Sequence, residues 1–436
     1  LVIAGEDRKP VGVFTRSDLL DRVLLADLPQ TAPISQAMSP APFMLEEQAT
    51  AYDAVLAMAT HGIRHVLVTD AEGRLTGVVS ERDLFALQRV GLRQIRHAIE
   101  SAGDVESLQQ SAADVRQLSF NMLAQGIGAE QLTQFISALN DALTRRVIQL
   151  NLENHDFAGI QWAWLAFGSE GRDEQTFSTD QDNGIVFDCA DAALVDGLRQ
   201  RFLAFALAVN KDLDRCGFPL CKGNIMASNP QWCLSLNEWK SQFTTWVRVP
   251  QPEALLNASI FFDFRSLFGK AELAEQMRRH LLAQAGGNAL FLQAMARNAL
   301  TVSPPLGKIR DFITDLEPDH PGKIDLKKYG SRIFVDVARI YALATGVHNT
   351  NSVQRLRQVG KRLAIRDEEI DAILEGLDFI QLLRLRHQYL EGEPGRQGDN
   401  LIDPDSLNEL DRRILKESFR QARKIQSRLK LDYQVQ

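Results

Sequence analysis

Two aspartates separated by a single residue, Asp180-Gln181-Asp182, stand eleven positions after a Gly168-Ser169 step in this chain of 436 residues. The glycine-serine step closes an apolar run, Trp162 to Phe167, and the acids head a second one, Ile185 to Phe187. Side chains two apart on an extended strand share a face, so Asp180 and Asp182 point together. Carboxylates held that close repel unless a cation lies between them, and the hard, oxygen-seeking ion of a cytoplasm is Mg²⁺. A turn that ends a strand and opens a short helix offers free backbone N–H groups to a phosphate, which gives Gly168 and Ser169 their expected role. A strand, a phosphate-gripping turn and a carboxylate pair together predict metal-assisted phosphate chemistry.

This layout resembles the polymerase-beta-like nucleotidyltransferase superfamily, in which Gly-Ser precedes an Asp-x-Asp pair and a third carboxylate arrives on a later strand. A narrower pattern, Gly168-Ser-x-Gly-Arg-x-Glu-Gln175 followed by Thr179-Asp-Gln-Asp-Asn183, is similar to the nucleotidyltransferase family related to the N-terminal part of protein-PII uridylyltransferase. Members of that family are commonly preceded by CBS repeats. The resemblance runs over residues 100 to 430, through Leu220-Cys-Lys-Gly-Asn-Ile-Met-Ala227, Ile260-Phe-Phe-Asp-Phe-Arg265, Leu326-Lys-Lys-Tyr-Gly330 and Asn349-Thr350. It implies an enzyme that moves a uridylyl or adenylyl group from a nucleoside triphosphate to an acceptor hydroxyl, a protein acceptor among the candidates. The superfamily usually has an apolar residue where Gln181 stands, although the narrower family shows the same Gln. Protein-PII uridylyltransferase also carries a phosphohydrolase domain and ligand-sensing repeats, and nothing matching either is read in this sequence.

The third metal-binding carboxylate is assigned to Asp263, because Ile260 to Phe264 is a β-rich apolar run with one acid in it. An unpaired acid there is costly. Its alternative is an ion pair with Arg265 or another cation, and Asp188 is the weaker choice for the third ligand. On this reading Asp180, Asp182 and Asp263 hold Mg²⁺ and Asp263 doubles as base, while Arg172 and Lys222 neutralise the phosphates held at Gly168 and Ser169. A carboxylate pair kept for binding alone has the same sequence, so a catalytically inactive nucleotide-sensing signalling module stands as the alternative.

Nearer the N-terminus the chain repeats itself. Leu1 to Leu20 aligns without gaps on Val66 to Phe85, placing Gly12 on Gly77, Thr15 on Ser80 and Asp18 on Asp83. Each copy reads as strand, turn, strand after the glycine, then a helix opened by Thr/Ser-x-x-Asp. The second copy also has an upstream half, with Ile34 to Ser39, a strand around Phe43 to Leu45 and a helix from Thr50 to His61. The first copy lacks the equivalent of that half, which with no initiator Met marks the chain as a fragment. The unit resembles the CBS repeat, which works in pairs that often bind an adenine nucleotide and self-associate. Carried over, Thr15 and Ser80 contact phosphate and Asp18 and Asp83 the ribose, in a homodimer. Ser/Thr with Asp three residues on is also an ordinary helix cap.

These features divide the sequence into CBS repeats over 1–90, a helical connector over 91–155, a nucleotidyltransferase domain over 156–284 and a helical substrate-binding domain over 285–436. The fold class expected is a multidomain α/β chain: an α/β CBS pair, a mixed sheet with helices, and an all-α bundle of five or six helices. The bundle's Lys327, Lys328, Arg332, Arg339, Arg355 and Arg357 either face the cleft or form a solvated charged face. A net charge of −7 argues against nucleic acid or anionic membrane as partner. No apolar run approaches the ~18–20 residues of a bilayer span, and four cysteines without a CxxC fit reduced thiols in a cytoplasm.

Overall fold

The computed structural model describes the chain apart from residues 1, 6, 16–17, 27, 30, 50–52, 55–56, 59–60, 62, 64, 81–93, 308–310, 315–318, 392–397 and 436. It divides into two compact units, Leu1–Gln94 and Ile95–Gln436.

In the first unit, β1 (Val2–Ala4) and β2 (Pro10–Val13) pair antiparallel. After a short helix α1 (Ile34–Ala37), β3 (Ser39–Pro40) pairs with β2, Gly12 opposite Pro40. The strand at Met38-Ser39-Pro40, which the repeat assigns to the second copy, therefore completes the sheet of the first. Gly12 is what lets it approach, since a Cβ there would stand 2.2 Å from Met38 Sδ. A second sheet is built from β4 (Met44–Glu46), parallel to β5 (His65–Thr69), which pairs antiparallel with β6 (Leu75–Ser80). The expected helix of Thr50 to His61 falls partly outside the described residues.

The second unit opens with the long helices α2 (Val105–Ala124) and α3 (Ala129–Leu152). Asp104 caps the first, its side chain accepting from Ser107 N at 2.8 Å. Next come β7 (Trp162–Ala166), the single turn α4 (Gly168–Gly171), β8 (Asn183–Phe187) and α5 (Val195–Arg215). The strand β9 (Cys233–Ser235), helices α6 (Leu236–Arg248) and α7 (Pro252–Phe261), strand β10 (Arg265–Gly269) and helix α8 (Ala271–Ala285) follow. The sheet runs β10-β7-β8-β9, antiparallel except between β8 and β9.

Strand alternation sends successive residues of β7 into two different cores. Trp162, Trp164 and Ala166 pack with Ile185 and Phe187 against Leu143 and Val147 of α3 and Phe202 and Phe205 of α5. Ala163 and Leu165 face Trp239, Phe243 and Met277, in a core that continues to Ile340 and Phe419. The segment expected as a connector thus supplies one covering layer of the sheet. Its Asp141 grips Arg265 of β10 through both carboxylate oxygens, at 2.6 and 2.7 Å. His155 hydrogen-bonds Asn151 O through Nδ1, as a loop residue.

The C-terminal part holds, among the described residues, α9 (Ala289–Ala299), a two-stranded ribbon of β11 (Ile324–Asp325) with β12 (Leu401–Ile402), and helices α10 (Arg332–Thr345), α11 (Ser352–Arg362), α12 (Asp367–Glu391) and α13 (Glu409–Asp432). Gly346 ends α10 at φ +71°, a left-handed cap that favours glycine. Leu415, Phe419, Ala422 and Leu429 form the buried stripe of α13. All four cysteines are free, and no helix among the described residues is long and apolar enough to cross a membrane.

Candidate active site

The turn after β7 is built around glycine. Gly168 sits at φ +55°, and a Cβ on it would stand 2.9 Å from Asp182 Oδ2, so conformation and space both demand its absence. Phe167 N donates to Asp182 O at 2.8 Å, which clasps the turn to the acidic segment. On the other side a Cβ at Gly171 would lie 2.0 Å from Asp263 O. Ser169 is half-buried within the turn, and its carbonyl accepts from Glu174 N at 2.9 Å.

Gln181 sets the aim of the two acids. It is 2% exposed; its amide nitrogen donates to Asn210 O (2.9 Å) and Phe218 O (2.7 Å), and its oxygen accepts from Asn210 Nδ2 (2.7 Å). With the middle residue anchored inward, alternation turns Asp180 and Asp182 outward together. A polar residue stands where an apolar one is usual because the pocket behind it is lined by carbonyls. Asn183, the next inward residue but one, completes the network by accepting from Asn210 Nδ2 (3.0 Å) and Ala227 N (2.8 Å).

Asp180, Asp182 and Cys221 each present one ligand atom within 4.8 Å of the others, the group of this kind among the described residues. Cys221 Sγ donates to Asp182 Oδ1 at 3.5 Å. Burial, then repulsion from Asp180, pushes Asp182 up to about 7, against the Cys221 hydrogen bond and the fields of Lys327 and Arg172. Burial likewise pushes the Cys221 thiol up to about 11, so near neutral pH it stays a neutral sulfur beside two carboxyl groups. Two carboxylate oxygens on one face fit a hard divalent cation that completes its shell with water and phosphate oxygens. The sequence points to Lys222, which is exposed; its neighbour Cys221, in the same Leu220–Ala227 motif, is the residue that reaches the acids.

Asp263 does not join them, which corrects its assignment as third metal ligand and as base. Ile260 to Phe264 is not a strand: α7 ends at Phe261, and Asp263 lies in the bend before β10, fully buried. Its Oδ1 accepts from Arg339 Nε (3.1 Å) and Arg355 Nη1 (2.5 Å), its Oδ2 from Arg172 Nη1 (2.8 Å) and Arg339 Nη2 (2.7 Å). Burial opposes ionisation, yet Arg339, Arg355 and Arg172 hold the carboxyl far below the usual carboxylate range. With its hydrogen-bonding directions taken by guanidinium groups, it has none left for a metal. Arg265, the partner considered from sequence, bonds Asp141 and reaches Asp173 at 3.0 Å. Asp188 is exposed at the opposite end of β8 from Asp182.

Arg172, expected at the phosphates, is engaged by the same cluster. Its Nε donates to Glu174 at 2.8 Å, and Glu174 also accepts from Ser352 N at 2.6 Å, at the start of α11. Asn351 Nδ2 donates to Arg172 O at 3.0 Å. The Gly-Arg-x-Glu-Gln motif thus fastens the turn to the C-terminal helices, and Gln175 N fastens it to Ser137 of α3 at 3.1 Å. Of the bundle's basic residues, Arg339 and Arg355 belong to Asp263, Arg332 to Asp336 and Arg357 to Glu130. Glu170, buried in the turn, is pushed up to about 8 by burial first and by Asp141 second.

In the first unit Thr15 and Asp18 cap each other: Thr15 N and Oγ1 donate to Asp18 Oδ2 at 2.7 and 2.6 Å, and Ser39 Oγ to Oδ1 at 2.8 Å. Burial would raise the Asp18 carboxyl, but these bonds and Arg22 hold it below its ordinary value. Ser80 ends β6, half-buried, and Asp83 lies outside the described residues.

The family described as "Putative nucleotidyltransferase DUF294" matches residues 113–253, and the "Putative nucleotidyltransferase substrate binding domain" matches residues 289–433. The chain belongs to this nucleotidyltransferase family. A CBS domain matches residues 34–89. The nucleotidyltransferase match begins inside α2, in keeping with the packing of α2 and α3 into the sheet unit. No curated protein matches the chain. Among solved structures it is similar to one described as an uncharacterized conserved protein from Pyrococcus horikoshii, at 30% identity over 20% of this chain and 67% of that one. The TM-score of 0.19 is too low for that likeness to bear on the fold.

Proposed function

We propose that this nucleotidyltransferase-family chain moves a nucleoside monophosphate, uridylyl or adenylyl, from a nucleoside triphosphate to an acceptor hydroxyl, with a divalent cation such as Mg²⁺ as cofactor. The observation that carries the reading is the meeting of Asp180 and Asp182 on one face against the Gly168 turn, inside the family's nucleotidyltransferase domain. Transfer forms a bond from the acceptor oxygen to the α-phosphorus as the bond to the α,β-bridging oxygen breaks; pyrophosphate leaves and the hydroxyl proton passes to solvent or a carboxylate. A bound cation supplies positive charge to the phosphate oxygens as negative charge develops there.

Asp180 and Asp182 are the residues to hold that cation, and Gln181 holds them in register. The backbone at Gly168 with the Ser169 hydroxyl takes phosphate oxygens, and exposed Lys222 is near enough in sequence to Cys221 to assist. Asp263 acts behind the site, fixing Arg172 and through it the turn. Regulation by an adenine nucleotide at the CBS unit, a protein acceptor, a cytoplasmic setting and a CBS-mediated homodimer belong to the same reading.

A second reading, a nucleotide-binding signalling module without turnover, is favoured by one observation: with Asp263 bound by arginines, two carboxylates remain at the turn rather than three. The test incubates the full chain with each α-labelled nucleoside triphosphate, Mg²⁺ and cell lysate. Pyrophosphate release and label transfer that disappear in Asp180→Asn/Asp182→Asn support the enzyme. Nucleotide binding with no transfer in any combination refutes it in favour of the module.

A further inference from the structure

Arg278 of α8 is a buried cation without a carboxylate of its own. It is 7% exposed; Nη1 donates to Phe262 O at 3.1 Å and Nη2 to Phe264 O, the carbonyls on either side of Asp263. Its guanidinium carbon lies 4.0 Å from the centre of the Phe264 ring. Two of five N–H donors are used, and no carboxylate stands within ion-pair distance of it among the described residues. Beside it Arg172, Arg339 and Arg355 share Asp263, Asp336 and Glu174. Four guanidinium groups thus meet three carboxylates in this interior, and the positive charge left over falls to Arg278. A buried charge without compensation is costly, so this position favours an anion.

Arg278 also lines a cavity of about 450 Å³ between α8, the start of β10 and the loop from α10 to α11, a volume ordinary for a small-molecule site. The more exposed part of its lining is acidic. Glu272 is held by Arg279 at 2.7 Å and Asp173 by Arg265 at 3.0 Å, while Glu275 has His348 alone, at 3.2 Å, among the described residues. Glu275 and Arg278 stand three residues apart on one helix face, the spacing at which opposite charges ordinarily pair. They do not pair, because the carbonyls beside Asp263 draw the guanidinium inward. Thr350, 9% exposed, adds a hydroxyl with no hydrogen-bond partner among the described residues. A polyanion such as a triphosphate would meet three carboxylates here, whereas a small molecule carrying both signs matches the inner cation and the outer acids.

We propose that this cavity is a second ligand site, apart from Asp180 and Asp182, and that it takes a free α-amino acid. The ligand carboxylate accepts from Arg278 and from the Thr350 hydroxyl, and the ligand ammonium donates to Glu275. The two charged groups of an α-amino acid hang on one carbon, which suits partners one helical turn apart, about 5–6 Å between Cβ atoms. None of the residues lining the cavity is among those assigned to the metal or the phosphates.

The experiment titrates the full chain by calorimetry with each of the common amino acids, and with inorganic phosphate and a nucleoside triphosphate as competitors. At least one amino acid is expected to bind with a Kd of about 1 mM or tighter. It binds equally well to the Asp180→Asn/Asp182→Asn chain, so the result does not depend on the nucleotidyltransferase reading. The amine lacking its carboxylate, and the acid lacking its ammonium, each bind about tenfold more weakly or worse. Because Arg278 variants disturb the core around Asp263, the half-exposed Glu275 carries the test of place. Glu275→Gln weakens the amino acid about tenfold with the melting temperature unmoved, and Thr350→Val weakens it about threefold. The assignment is overturned by any of three results: no binding at millimolar concentration, binding that both variants leave within about twofold of the parent, or displacement of the amino acid by phosphate or the triphosphate.

Discussion

Replacing Asp263 by Asn distinguishes a buried structural anion from a metal ligand. The side chain is 0% exposed and takes four hydrogen bonds from Arg172, Arg339 and Arg355. Arg339 and Arg355 are each 2% exposed, so the variant leaves guanidinium charge in the interior with an amide whose NH₂ group points donors at donors. Removing one partner of a buried ion pair typically costs about 3–5 kcal/mol. Asp336 and Glu174 remain to offset part of the charge, which keeps the expectation inside that range. At roughly 1.4 °C per kcal/mol for a unit as long as Ile95–Gln436, the melting temperature should fall by about 4–7 °C.

The pH dependence has a definite sign. Asp263 ionises far below the usual range when folded, so its stabilising share is complete above the unfolded carboxyl value near about 4 and fades as pH falls below it. The gap in melting temperature between parent and Asp263→Asn therefore holds from pH 7 to about pH 5 and narrows from there toward pH 3, as read by calorimetry or circular dichroism. A metal ligand behaves in the opposite way, since its loss abolishes Mg²⁺-dependent binding while barely changing the stability of the cation-free protein. An Asp263→Asn protein that melts within a degree or two of the parent and no longer responds to Mg²⁺ would refute the arginine-anchor account.

Three other substitutions probe the surroundings. Gly168→Ala meets a left-handed φ and a contact of 2.9 Å to Asp182 Oδ2, and should cost about 1–3 kcal/mol while displacing that carboxylate; parental nucleotide binding and melting would count against the close-approach argument. Gln181→Leu leaves Asn210 and two carbonyls without the amide that satisfies them, a loss of about 2–3 kcal/mol by denaturant titration, with Mg²⁺-dependent binding reduced as the acids lose register. Glu170, raised to about 8, contributes stability present below its unfolded value and lost as pH rises toward 8. Glu170→Gln should therefore flatten the decline in melting temperature between pH 5 and pH 8, and an unchanged slope would show that Glu170 is already ionised in the fold.

Much of the site is written locally. Gly-Ser after an apolar strand, and acids at i and i+2, depend on neighbours in the chain, and period-two alternation is enough to place Asp180 and Asp182 on one face. The metal-ligand assignment of Asp263 fails, and its ion-pair alternative holds with other arginines, because an apolar run with one acid fits a strand as well as it fits a helix end and a bend. The run lies where α7 stops, and its acid belongs to arginines 76 and 92 residues further along. Cys221 was hidden by a more conspicuous neighbour, Lys222, since nothing in the spacing says which of two adjacent side chains turns toward the acids.

The sequence by itself determined the repeat, the strand-turn-acid order, the helical C-terminal part and the family, all features whose causes act over one strand, one turn or one helical face. The tertiary structure decided which charges meet. It gave Asp263 to Arg172, Arg339 and Arg355, folded α2 and α3 into the sheet's own core, and brought Cys221 to Asp180 and Asp182. Burying an ion demands a partner close at hand, whichever segment supplies it. That partner is chosen by packing, and the order of residues along the chain does not record it.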